Sequence, residues 1–344
     1  MALFGLGKKL ETFGLDIGSS SVKAVKLAPL KAGHALNSFA MVPLARDVVS
    51  EGSIRKPAAV SEAIKECVRK AGITATTAVI SVTGRDSIVK RVPLPRVTAK
   101  ELSDAILLEA EHHIPFAIDD VFLDYQVVVE TANSMSVLLV ATKKLKVLEY
   151  VAAVVDLDAF AVQNQFELSN SGDEKEAVAL IDIGAAVMKT NVVRGGASIF
   201  ARDVPFGGNN YTDAIAQRLN IATDKAEAAK RGLEIGVNWD DLVPALESVS
   251  RELSLEVQRT FDYFASTAES ERIGKIVLSG GCAKLAGIED FLASSWGVPV
   301  ELAQPFSSIQ CDPDQFPEAE LRDNGPLYAV AVGLGLRASG DKPT

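Results

Sequence analysis

At 344 residues, with 48% hydrophobic and 23% charged side chains, the chain has globular composition and room for one large or two medium-sized domains. A formal net charge of −10 argues against a non-specific nucleic-acid binder, which needs a basic surface to displace counterions. No stretch approaches the roughly 20 uninterrupted apolar residues that span a bilayer, and residues 1–10 are too short for a signal peptide, so a cytoplasmic location is expected.

Residues 1–10, with Lys8 and Lys9 beside Leu3, Phe4 and Leu6, read as a frayed terminus, two basic residues being a weak anchor for an anionic membrane. The first predicted element is a hairpin. An apolar strand runs into Asp16, the backbone turns at Gly18 through Ser19, Ser20 and Ser21, and an alternating strand leaves through Val22, Val25 and Leu27. Glycine and small hydroxyl residues let backbone N–H groups and serine oxygens approach a polyanion, with Asp16 suited to magnesium and Lys23 to phosphate. An ordinary hairpin with a polar turn fits the same residues.

Residues 34–42 read as a third strand and 45–57 as a polar connection. Over 58–70 the positions Val60, Ala63, Ile64, Cys67 and Val68 follow helical spacing, and Gly72 makes a stop. The apolar run 78–82 is a strand of the kind buried on both faces, and strand, crossover helix and strand imply an α/β half-domain. Cys67, Cys282 and Cys311 lack metal-ligand spacing and cannot all pair, which suits a reducing compartment.

From about residue 89 to 165 the character changes. Val92-Pro-Leu-Pro95 reads as an extended connection, and Thr98-Ala-Lys-Glu101 as a capping box. Leu102, Ala105, Ile106, Ala110 and His113 mark one face of the helix that follows, which Pro115 ends. Strands over 121–130 and 134–141 and a helix over 143–155 complete a compact insertion. The adjacent His112 and His113 project about 100° apart on a helix, so no metal site is expected there.

The opening pattern then returns. An apolar strand over 176–183 leads into Asp182-Ile-Gly184, and 188–193 alternates outward, so an internal duplication would set two phosphate hairpins on opposite sides of one cleft. Residues 197–204 add a strand, and Gly207 and Gly208 turn into a helix that Thr212 can cap. The segment 213–264 is mostly helical, with Leu253, Val257, Phe261 and Phe264 on one face. A buried strand then ends in Gly280-Gly281, with Ala283 at a helix start. Residues 304–325 read as a polar, proline-bearing loop and 327–336 as a closing apolar helix.

The ordered set of Asp16/Lys23 hairpin, Asp182/Gly184 hairpin and Gly280-Gly281 turn resembles the actin, Hsp70 and sugar-kinase superfamily, and the seven-residue interval from Asp16 to Lys23 is similar to the first phosphate loop of actin-like proteins. The resemblance implies an α/β fold: duplicated actin-like (ribonuclease H-like) domains around a nucleotide cleft, with an FtsA-type insertion replacing actin's second small subdomain. The implied division is 1–88 with 156–175, an insertion at 89–155, a second domain of 176–212 with 272–344, and a helical subdomain at 213–271. Glu109-Ala-Glu111, Ile114-Pro115, Asp124-Tyr-Gln-Val and Arg202-Asp-Val-Pro-Phe-Gly-Gly-Asn-Asn-Tyr-Thr212 narrow the likeness to the PilM family of type IV pilus assembly proteins.

That likeness implies ATP or ADP with magnesium. Asp16, Gly18, Ser19, Ser20, Ser21 and Lys23 would form the first phosphate loop, Asp182 and Gly184 the second, and Gly207 and Gly208 would follow it. Glu227 and Lys230 would reach the adenosine, with Gly280, Gly281 and Ala283 beside ribose and adenine. Asp16 and Asp182 would serve magnesium, the latter through water. Ala185, Ala186 and Val187 stand where a glycine or hydroxyl is common, so slow or absent turnover is expected and no catalytic base is assigned. The likeness further implies a cytoplasmic scaffold at the inner membrane, beside other platform proteins of a pilus or type II secretion system. It would bind the cytoplasmic N-terminal tail of a PilN-type membrane protein and could self-associate, with no nucleic acid and no direct membrane insertion. The tail's groove would lie within 89–165, with Ile106, Ala110 and Ile114 as candidate floor residues that core packing explains equally well. An FtsA-like filament protein and an active small-molecule kinase are the alternatives; residues 337–344 offer no apolar face like FtsA's terminal helix.

Overall fold

The computed structural model describes residues 11–338 except 51, 85, 150, 151, 153, 171–175, 234–235 and 268–270; the expectations for residues 1–10 and for the tail beyond 338 lie outside the described residues. Strands β1 (Thr12–Ile17), β2 (Ser21–Pro29) and β3 (His34–Pro43) form an antiparallel meander. A short hairpin, β4 (Val49–Ser50) and β5 (Ser53–Ile54), leads to α1 (Pro57–Lys70). Proline in its first turn and Arg69 and Lys70 in its last suit the helix ends, and Val60, Ala63 and Cys67 face the sheet. β6 (Thr77–Val82) then pairs parallel with β1.

The insertion is a three-stranded antiparallel sheet under one helix: β7 (Ser87–Pro95), α2 (Ala99–His113), β8 (Val121–Glu130) and β9 (Ser134–Lys143), in sheet order β7-β9-β8. The segment read as a connection through Pro93 and Pro95 is therefore an edge strand, where proline costs no ladder bond. The expected capping box is present, with Glu101 accepting the Thr98 N–H at 3.0 Å. Ile106, Ala110 and Ile114 are 1%, 0% and 6% exposed, packed with Val92, Leu94, Val137 and Leu139. They are the core of this small unit and not the floor of an open groove, because one helix supplies the apolar stripe that covers the sheet.

The helix predicted over 143–155 is only one turn, α3 (Lys144–Val147), after which β10 (Val154–Leu157) runs parallel to β6 and returns the chain to the first sheet. The β-branched pair Val154-Val155 favours this strand. α4 (Asp158–Ser169) follows, and then the meander repeats as β11 (Ala177–Ile183), β12 (Met188–Arg194) and β13 (Ala197–Val204). Helices α5 (Gly208–Leu219), α6 (Thr223–Lys230) and α7 (Trp239–Thr267) precede β14 (Ile273–Ser279), which pairs parallel with β11 as β6 does with β1. The chain closes with α8 (Ile288–Trp296), β15 (Val300–Leu302), β16 (Ile309–Gln310), α9 (Glu318–Asn324) and α10 (Ala329–Gly335). The sheet orders β10-β6-β1-β2-β3-β16 and β13-β12-β11-β14-β15 share the same inner arrangement, so the duplication extends to topology.

The halves exchange their covering helices. α10 lies on β1 and β2, α4 lies on β11 and β12, and the two cross between the sheets. Phe306, Ile309, Tyr328 and Val332 pack with Val25, Leu27 and Leu36 of the first half. Packing thus crosses the division read from the sequence: 158–169 covers the second sheet, and the end of 272–344 covers the first. Residues 304–325, read as a loop, contain β16 and α9, with β16 added to the edge of β3. Gly333 sits at the crossing, where a Cβ would run into the Ala161 carbonyl. Among the described residues no helix is long and apolar enough to cross a membrane.

Candidate functional site

Each meander ends its first strand in the same turn. The Gly18 N–H donates to the Ser21 carbonyl at 3.0 Å, and the Gly184 N–H donates to the Val187 carbonyl at 3.0 Å. Antiparallel register places Asp16 opposite Lys23 and Asp182 opposite Lys189. Side chains opposite one another share a sheet face, so each turn carries an ion pair beneath it. Lys23 Nζ lies 2.8 Å from Asp16 Oδ2, and Lys189 Nζ lies 2.9 Å from Asp182 Oδ2.

A third carboxylate joins them. Asp158, the first residue of α4, stands where β10 ends, and its Oδ2 is also 2.9 Å from Lys189 Nζ. The Ser279 hydroxyl donates to Asp182 Oδ1 at 3.1 Å. Next to it Gly280 has φ 85, and a Cβ there would come within 2.9 Å of the same Asp182 oxygen, so this turn requires glycine on both counts. The two hairpins thus converge with the ends of β10 and β14 on one buried cluster of three carboxylates and two ammonium groups.

The charges act on one another. Burial opposes ionisation of Asp182, but Lys189, Lys23 and the Ser279 hydroxyl outweigh it and hold the carboxyl below the usual carboxylate range. Burial pushes Asp158 up, and the Asp16 charge adds to this, with Lys189 offsetting only part. For Lys189 burial works against the charge, yet Asp158, Asp182 and Asp16 together raise its pKa well above that of a free lysine.

Sequence reading did not single out Lys189, Asp158 or Ser279. Lys189 stands seven residues after Asp182, the same interval as Lys23 after Asp16, so the signal was present. Asp158 was hidden because the strand before it was read as helix.

Of the expected nucleotide residues, Ser20 and Gly281 are exposed and Gly18, Ser19 and Gly184 half-buried at the turns, where a ligand can reach them; Ser21 is buried. Gly207, Gly208 and Ala283 lie behind that surface. The Gly207 N–H donates to Asn210 Oδ1 at 3.0 Å, the Gly208 N–H to the Gly184 carbonyl at 2.9 Å, and the Asn209 N–H to the Ala185 carbonyl at 2.8 Å. These amides tie the start of α5 to the second turn, and the close approach requires small residues at Gly207 and Gly208. Glu227 and Lys230 do converge. Lys230 Nζ is 2.6 Å from Glu227 Oε2, 3.0 Å from Thr212 Oγ1 and 3.1 Å from the Gly208 carbonyl, so both side chains brace α6 against α5.

Direct ligation of magnesium by Asp16 and Asp182 does not fit. Each already has a lysine ammonium at contact distance, and a divalent cation between them would meet two like charges. Among the described residues no group of three or more His, Cys, Asp or Glu is arranged to hold a metal ion. A polyanion fits better: Lys23 has one carboxylate partner and stands beside an exposed turn.

A cavity of about 260 Å³ opens beside this cluster, between the insertion and the second half, lined by Thr83, Ile88, Asp158, Val187, Arg202 and Val204 among others. Its rim is bridged by Asp203, whose Oδ2 accepts the Thr83 hydroxyl and the Gly84 N–H, both at 2.7 Å.

The model of the type IV pilus assembly protein PilM family matches residues 14–339. The chain belongs to that family. The structure of a PilM–PilN type IV pilus biogenesis complex is similar at TM-score 0.85 and 28% identity, covering 96% of this chain and 98% of that one. Ethanolamine utilization protein EutJ from Carboxydothermus hydrogenoformans is similar at TM-score 0.55 and 13% identity, covering 94% of this chain and 88% of that one. MreB5 of Spiroplasma citri, bound to AMPPNP, is similar at TM-score 0.52 and 12% identity, covering 95% of both chains. At such identity EutJ and MreB5 speak for the fold alone, and it is the actin-like fold expected from the two hairpins. Cell division protein FtsA from Pseudomonas aeruginosa is 28% identical over 198 residues, 49% of this chain and 45% of that protein, so the chain spans about half the length of this curated relative.

Proposed function

We propose that this PilM-family chain is a nucleotide-binding, actin-like scaffold of the inner-membrane platform for type IV pili, held there by the cytoplasmic N-terminal tail of a PilN-type membrane protein. One observation carries the reading: the similarity to a PilM–PilN complex extends over 96% of the chain, insertion included. The cavity beside β7 supports a place for the tail. Val82, Ile88, Leu157 and Val204 make much of its wall apolar, while Arg202 and Asp203 offer polar partners at one side, which suits an extended peptide.

Nucleotide binding is supported by the paired turns and by Lys23, whose ammonium needs to move only from Asp16 to meet a phosphate. The second turn supplies Ala185, Ala186 and Val187, which bring no hydroxyl to a terminal phosphate, and this favours slow or absent turnover. Titration calorimetry with a synthetic peptide of the cytoplasmic N-terminal tail of a PilN-type membrane protein tests the partner. Saturable one-to-one binding is expected, and no heat with or without nucleotide would sink the reading. For the cofactor, Lys23→Ala is expected to weaken ADP and ATP binding about 10- to 100-fold, the size of a lost charge-assisted phosphate contact. Unchanged affinity would mean that the first turn is not a phosphate loop.

The match to FtsA favours a second reading, a filament-forming protein. Sedimentation with nucleotide separates the two, since the scaffold stays in the supernatant.

A further inference from the structure

We propose that Lys189 is a built-in cation of this cleft, occupying the place between Asp158 and Asp182 that a protein-held magnesium ion would need. Nucleotide binding by this chain is accordingly independent of divalent metal. The second statement rests on the nucleotide reading above; the first does not.

The geometry is specific. Lys189 Nζ is equidistant, at 2.9 Å, from Asp158 Oδ2 and Asp182 Oδ2, and all three side chains are nearly buried, 12%, 9% and 8% exposed. Magnesium takes oxygens at about 2.0–2.1 Å in octahedral geometry and keeps several waters. An ammonium spanning the two carboxylates removes both the charge that would attract such an ion and the room for its waters. The other Asp182 oxygen accepts from Ser279 at 3.1 Å. Each carboxylate is therefore already served by a cation, and Asp182 by a hydroxyl as well.

Both lysines stand on interior strands between fully buried neighbours, Val22 and Ala24 for Lys23 and Met188 and Thr190 for Lys189, so the strands alone do not distinguish them. Lys189 differs in its partners. Two carboxylate contacts hold its ammonium, against one for Lys23. The two lysines, symmetric by register, thus divide the work. Lys23 is free to turn to phosphate, and Lys189 stays as the permanent counter-charge beneath the second turn. Withdrawing it would leave two buried carboxylates facing each other without a counter-charge, an arrangement that takes up a hard cation when one is supplied in excess.

The test has a metal arm and a nucleotide arm. In the first, Mn²⁺ as a spectroscopic stand-in for Mg²⁺ is titrated into the nucleotide-free protein and followed by electron paramagnetic resonance. The unsubstituted chain and Lys189→Arg are expected to bind no Mn²⁺ that Asp182→Asn abolishes, whereas Lys189→Thr is expected to gain one such ion. In the second, ADP affinity is measured in Mg²⁺ and in EDTA. It should differ by less than about threefold for the unsubstituted chain and by more than about tenfold for Lys189→Thr. An Asp182-dependent Mn²⁺ in the unsubstituted chain overturns the proposal, as does a folded Lys189→Thr that gains none. Should Lys189→Thr not fold, the unsubstituted chain and Lys189→Arg decide the matter. If no ADP binds under either condition, the nucleotide reading fails while the metal arm still judges Lys189.

Discussion

Gly333→Ala is the substitution whose cost follows most directly from the arrangement of the two halves. In an isolated helix the change would stabilise by about 1 kcal/mol, because alanine loses less backbone entropy than glycine. At the crossing of α10 and α4 the new Cβ would overlap the Ala161 carbonyl, and backbone atoms cannot rotate aside as a side chain can. The helices must separate, and they do so among Ala161, Ala329, Ala331, Val332 and Leu334, all 0% exposed. Overpacking a rigid core costs about 1–3 kcal/mol, and a backbone obstacle puts this site at or beyond the upper end. The net expectation is a loss of about 2 kcal/mol, seen as a urea midpoint lowered by roughly 1 M at a typical slope. Gly335→Ala is the control. Its Cβ would meet the Val25 carbonyl at 3.3 Å and Leu27 side-chain atoms at 3.4 and 3.6 Å, contacts that a shift of a few tenths of an ångström relieves. Nucleotide affinity should fall with Gly333→Ala, since α4 carries Asp158 and α10 lies on β1, which carries Asp16. Equal stability of Gly333→Ala and the parent, or equal cost at both glycines, would refute the reasoning.

Ile106→Ala is expected to cost about 2–5 kcal/mol in chemical denaturation, as for a core residue, while the folded protein binds the tail peptide unchanged; lost peptide affinity at full stability would restore the groove-floor reading. Arg46 makes a bidentate pair with Asp213 across the two halves, 2.6 Å at both contacts, with side chains 40% and 55% exposed. Arg46→Ala should therefore change stability by no more than about 1 kcal/mol yet speed release of a fluorescent ADP analogue in stopped flow, and an unchanged off-rate would mean the pair does not hold the cleft. Burial pushes the Cys67 thiol up to about 11 and the Cys282 thiol up to about 12, so both stay protonated at pH 8. Ellman's reagent should modify only the half-buried Cys311 in the native chain and all three after denaturation, and rapid reaction of a second native thiol would contradict the packing around it.

Much of the site was legible because its signals are local. Asp16, Gly18 and Lys23 lie within one hairpin, and antiparallel register turns a seven-residue interval into a cross-strand pair. The same rule applied to Asp182 reaches Lys189. The strand before Asp158 was not legible, because a four-residue stretch with three apolar side chains fits helix and strand alike and the decision came from β6, some 75 residues earlier. The burial of Ile106 and Ala110 was legible, but periodicity says only that a helix face is covered and not by what.

By itself the sequence determined the two Asp-Ile-Gly hairpins, the repeat that relates them and the capped helix of the insertion, all set by residues close together in the chain. Only the tertiary structure decided that α4 and α10 exchange halves, that Asp158 joins the ion pairs and that Lys189 sits between two carboxylates. The physical reason is that burial and charge pairing are settled by whichever surfaces meet in space, and the partners here are brought together by the sheets from positions as far apart as Val25 and Val332.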